Sequence, residues 1–130
     1  MLHEQNVRLN RDHAFLVERA PSAWEDFKSQ FRSECHEISR DSQIISLACD
    51  EPDRNELYVL RTRPYSQPVA VQRFTFKPSL PAISWTDQHN KKPSKLIEMT
   101  LDGSEVSFSV DGKPLILSVF IANRLEDSCR

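Results

Sequence analysis

Glycine is nearly absent from this 130-residue chain: only Gly103 and Gly112 occur, each directly after an aspartate. Both Asp-Gly pairs read as tight turns that need a left-handed backbone. No glycine is left to bring a backbone close to a phosphate, which excludes the P-loop and the G-x-G-x-x-G dinucleotide fingerprint. G-x-S-x-G, H-E-x-x-H and the protein-kinase set are missing as well. Cysteine is sparse: Cys35, Cys49 and Cys129 are odd in number, far apart in sequence and without a C-x-x-C pair. That usage reads as reduced thiols in a cytoplasmic protein, not as a disulfide framework. No apolar run reaches membrane-spanning length, and the longest, near Leu115 to Ala122, is broken by Ser118. The polar start MLHEQNVRLNRDH has no apolar signal-peptide core, so neither secretion nor a membrane is expected. A net charge of −2 supplies no bulk field toward nucleic acid or acidic lipid.

What is present organises around Pro21 to Asp41. Trp24, Phe27, Phe31, Cys35 and Ile38 recur at three- and four-residue spacing, which draws one apolar stripe down a helix from about Ser22 to Arg40. Ser22 with Glu25 reads as a capping box, and Pro21 as the stop of an earlier short helix, His13 to Arg19. Residues 1–11 are expected to be flexible.

After Ser42 the pattern changes to alternation. Strands are expected at Gln43–Cys49, Glu56–Arg63, Val69–Lys77 and Ala82–Thr86, separated by proline- and aspartate-rich turns. The signal Leu101-Asp102-Gly103-Ser104 reads as a type I′ hairpin that opposes Met99 to Val106 and Ile97 to Phe108. Asp111-Gly112 ends the next strand. Leu115–Val119 reads equally as a further strand or as the approach to a closing helix, Val119 to Asp127, capped by Ser118. The expected fold is a single α+β domain over 1–130. N-terminal helices pack on one face of a five- to six-stranded antiparallel meander, with a short C-terminal helix.

Such a layout carries no warrant about activity. Cys35 and His36 are ligand types, but adjacent helical residues point about 100° apart, so no metal site is expected there. The histidines form no spaced set with a nucleophile, and no catalytic residue or cofactor is expected. The positive signal is charge segregation. Arg61, Arg63, Arg73, Lys91 and Lys92 fall within Leu57 to Ile97, interleaved with Tyr65, Phe74, Phe76 and Trp85. If odd positions of the second strand pair with odd positions of the third, the three arginines gather at one end of an open sheet face. That surface suits single-stranded nucleic acid or another polyanion. The same register leaves Leu57, Val59, Val69 and Val71 as an apolar patch on the open face, with Trp85 as a candidate anchor. The reading ranks protein–protein interaction first, a second copy of the chain (a homodimer) included. Polyanion binding comes second, and a small-ligand pocket between helix and sheet third.

Overall fold

The stripe of Trp24, Phe27, Phe31, Cys35 and Ile38 does form one helix face, but its helix is longer than the sequence punctuation suggests. The structure, a computed structural model, describes residues 2–42 and 44–129, with side chains from residue 11 onward. Helix α1 runs Leu2–Asp41, 40 residues with Pro21 in its interior; at 1.5 Å per residue that is about 60 Å of helix. The two helices expected either side of Pro21, and the stretch expected to be loose before them, are therefore one element. The reason lies in the packing. Pro21 is exposed, and its missing N–H removes a single intrahelical bond on the solvent side. Leu16, Ala20 and Trp24 continue the buried stripe across it without a break. Ser22 and Glu25 are consequently interior positions and not a capping box.

The sheet is antiparallel and curled, and has seven strands among the described residues where five or six are expected. In order they are β1 (Ser46–Asp50), β2 (Glu56–Thr62), β3 (Val69–Lys77), β4 (Ala82–Asp87), β5 (Lys95–Asp102), β6 (Glu105–Val110) and β7 (Lys113–Leu115). Each strand pairs with its neighbour in the chain. Gln43, the start of the first expected strand, lies outside the described residues. The extra strand is the three-residue β7, so Leu115–Val119 divides between strand and helix. Ile116 stands at the N-cap of helix α2 (Leu117–Ser128) without a side-chain capping bond, which puts the expected cap, Ser118, inside the helix.

The two Asp-Gly turns differ. Asp111 and Gly112 have φ of 54° and 76° and join the paired residues Val110 and Lys113; two left-handed central residues are the type I′ pattern. In the β5–β6 hairpin the central residues are Gly103, φ 66°, and Ser104, because Asp102 pairs with Glu105. Glycine at the first central position is what a type II′ turn requires. The expected register is thereby displaced: Met99 opposes Phe108, and Ile97 opposes Val110. The pairing moves by two residues, so every side chain keeps its face.

Helix α1 lies across the strands. At one end Arg19 donates to the Ser104 carbonyl at the β5–β6 turn; at the other the Ser39 hydroxyl bonds both the N–H and the carbonyl of Leu47 on β1. Between them Trp24 stacks on Phe76 with ring centroids 5.6 Å apart, and Phe27 and Phe31 meet Phe74 at 5.2 and 4.8 Å. Such ring pairs add about 0.5–1.5 kcal/mol each beyond the burial of their area. No helix among the described residues is long and apolar enough to cross a membrane. Replacing Pro21 with Ala restores an intrahelical hydrogen bond, so urea denaturation of Pro21→Ala is expected to show a gain of about 1–3 kcal/mol. An unchanged midpoint would mean that the chain is not one helix at this point.

Candidate functional site

The β2–β3 hairpin decides where the sequence-identified residues go, and it uses both registers in turn. Leu57 opposes Phe74 and Val59 opposes Gln72, odd with even. Val71 is then an extra residue, a bulge, beyond which Leu60 opposes Ala70 and Arg61 opposes Val69. Leu57, Val59 and Val71 are all buried in the core beneath the helices, as is Trp85. The open apolar patch expected from these residues therefore does not form, and Val69 alone of that set is exposed. Tyr58 and Leu60 alternate with the buried positions and face away from the helix.

The basic set is divided as well. Arg61 donates to His89 Nδ1 and to the Ser128 carbonyl, each at 3.0 Å, on the helix side of the sheet. Arg73 lies on the other side with its guanidinium 4.6 Å from the Tyr58 ring centroid. Lys91 and Lys92 are exposed in the β4–β5 loop, which His89 brings against Arg61, and Arg63 is exposed at the end of β2. Arg61, Arg63 and the two lysines thus share one end of the sheet, without Arg73.

At that end lies a buried polar cluster that sequence reading missed. Gln72, Asp87 and Ser128 are all nearly inaccessible to solvent. Trp85 Nε1 donates to the Gln72 carbonyl oxygen at 2.7 Å, and the Gln72 amide donates to Asp87 Oδ1 at 3.1 Å and Ser128 Oγ at 3.3 Å. Asn90 donates to Asp87 from its backbone and its side chain, and to Asp127 on α2. Arg124 of α2 lies 5.1 Å from the Trp85 ring centroid and 3.7 Å from Asp87 Oδ2. The cluster fastens the end of α2 to β3 and β4. Its signal in the sequence was a single glutamine among the alternating apolar residues of β3.

The other feature at this end is apolar and uncovered. Ile44 is 69% exposed and Tyr65 fully so at 108%. Both line a shallow cavity of about 400 Å³ with Ser39, Thr62 and Arg63. Tyr65 has φ of 62°, a left-handed conformation that costs a bulky side chain energy. The centre of the space between α1 and the sheet is filled by the aromatic core, and at its margin a cavity of about 630 Å³ opens between Trp24 and Glu25 of α1 and Arg54, Asn55 and Phe76. The Cys35 thiol points inward and His36 outward, as the helical spacing implies. No family model matches the chain, and no curated protein or solved structure is found to be similar to it.

Burial pushes the Asp87 carboxyl upward, but the hydrogen bonds from Asn90 and Gln72 and the charge of Arg124 outweigh it and hold the group below its ordinary value. A depressed folded-state value stabilises the fold fully above the unfolded value of about 4, and this contribution disappears as pH falls through the folded value. The thermal midpoint of the wild type is therefore expected to fall more steeply below about pH 4 than that of Asp87→Asn. At pH 7 the variant is expected to be less stable by about 1–3 kcal/mol. Parallel pH profiles would contradict this account of the cluster.

Proposed function

We propose that the chain is a protein-docking domain that pairs with a second copy of itself through the rim around Ile44 and Tyr65. The observation that carries this reading is Tyr65, wholly exposed and held at φ 62° beside a second exposed apolar side chain. A large ring kept in a costly backbone conformation and out in water gains most when a partner covers it. Tyrosine is also among the residues that dominate interface energetics.

A rim of this kind suits a like partner. At the end of α1 the exposed Glu37 and Asp41 both pair with Arg40, and Arg63 lines the Ile44–Tyr65 cavity. Across a two-fold axis the apolar centre formed by Ile44 and Tyr65 meets itself. Three unbridged thiols suit a reducing, cytoplasmic setting for such a domain. Polyanion binding has less support, because Arg61 is engaged internally and Arg73 lies on the opposite face.

Sedimentation of the full chain at about 10–100 μM tests the proposal, since weak homodimers form in that range. The expected result is a species of twice the 15.1 kDa chain mass. It should change little between low and high salt, whereas phosphate-driven complexes weaken steeply. Tyr65→Ala and Ile44→Ser are expected to return it to monomer with an unchanged circular dichroism spectrum. A wild type that stays monomeric at the highest concentration, or a dimer indifferent to both substitutions, would overturn the reading.

A further inference from the structure

Cys35 and Cys49 are distant in kind as well as in sequence, one on the buried stripe of α1 and one on β1, yet their sulfurs lie 3.5 Å apart. Both are free thiols. Cys35 is buried, while Cys49 is half-buried on the edge strand of the sheet and open to small solutes. We propose that this pair is an oxidation site, a dithiol that a hydroperoxide such as hydrogen peroxide converts to a disulfide joining α1 to β1.

The geometry assigns each sulfur a part. A disulfide needs its sulfurs at about 2.05 Å, so the pair must close by roughly 1.5 Å, a distance within reach of a χ1 adjustment at a half-buried residue. The edge strand has one free side and is already tied to the helix nearby, through the Ser39 hydroxyl on Leu47. The hydrogen bond from Cys35 favours the Cys49 thiolate; burial opposes it, and the Arg32 guanidinium assists, leaving Cys49 below the ordinary thiol value. Cys35, as donor of that bond and as the more buried thiol, is pushed upward. The more exposed sulfur is thus also the more nucleophilic.

In the first step the Cys49 thiolate attacks one oxygen of hydrogen peroxide and the O–O bond breaks. Hydroxide leaves, takes a proton and becomes water, and Cys49 is now a sulfenic acid. In the second step Cys35 gives up its proton, its sulfur attacks Cys49 Sγ, and the sulfenic oxygen departs as a second water. Two thiols and one peroxide yield one disulfide and two waters; the sulfurs are oxidised and the peroxide oxygens reduced. Cys129, just past α2, is also a free thiol and serves as the internal comparison.

The test uses the reduced full-length chain treated with hydrogen peroxide, then denatured and alkylated with N-ethylmaleimide. Intact mass is expected to show one alkyl group where the reduced protein carries three, matching its three cysteines. Trypsin is expected to release residues 33–40 joined to 41–54, the two peptides that hold Cys35 and Cys49. Dithiothreitol restores three alkylations. Cys129→Ser still forms the bridge, and Cys49→Ser does not. Because the bridge closes a loop of 14 residue steps, the thermal midpoint of the oxidised protein is expected to rise by about 10 °C. Three alkyl groups after peroxide, a bridge that includes Cys129, or sulfinic acid at Cys49 without a bridge would each overturn the proposal.

Discussion

The aromatic face of α1 is the constraint on which the rest of this molecule depends. Trp24, Phe27 and Phe31 are buried side by side, and they meet Phe74 and Phe76 of β3 and Phe108 of β6. A seven-stranded sheet without that helix would expose one whole apolar face to water. The helix without the sheet would expose three rings, each worth about 1.5–3 kcal/mol on burial. Neither layer is stable alone, so the curl of the sheet and the length of the buried helix face are set together. The buried cation Lys28 follows from the same demand. Its stem lies along the packed face, and its ammonium reaches Glu25, Glu51 and the Arg54 carbonyl, so the charge is not left alone.

The second helix is held by a different kind of force. Phe120, Ile121 and Leu125 supply apolar contact, but contact of that kind tolerates sliding. The Gln72 amide does not: its oxygen accepts from Trp85 while its nitrogen serves Asp87 and Ser128 together. Only one placement of the end of α2 satisfies all of these, and a half-satisfied buried network is costly. The cluster therefore fixes position where the aromatic core supplies cohesion. Arg61 adds to it from β2 by donating to the Ser128 carbonyl, which draws into the interior a residue that sequence reading assigned to an open, basic surface.

The layers were legible in the sequence, whereas parity and continuity were less so. The stripe from Trp24 to Ile38 and the span Val69–Lys77 were readable because each repeats one period over many residues. Pro21 was misread because its local chemistry argues for a stop, whereas Ala20 and Trp24 bury on either side and carry the helix through. The β5–β6 hairpin kept its faces and lost its register, since an alternating pattern is blind to a shift of two. The Val71 bulge was invisible for a related reason: one inserted residue reverses which side chains point inward, and the run Val69-Ala70-Val71-Gln72 suits either choice. That reversal moved Leu57 and Val59 from an expected open patch into the core. In the sequence Tyr65 stands out only as an aromatic among basic residues and Ile44 not at all, because exposure is a property of the assembled end of the sheet. The approach of Cys35 to Cys49 likewise exists only once α1 lies along β1.

The unbroken strand order has a consequence for how the molecule is made. Every strand pairs with the one that precedes it in the chain, so each hairpin can close as soon as its second strand is available. Loop closure is then local at every step, which favours rapid assembly over a long search. The helix that covers the sheet also leaves a ribosome before any of the strands, and it waits with its rings unpaired until β3 supplies Phe74 and Phe76. The interval between those two events is the period of greatest aggregation risk for this chain, and it is governed by the order of synthesis, not by the stability of the finished fold.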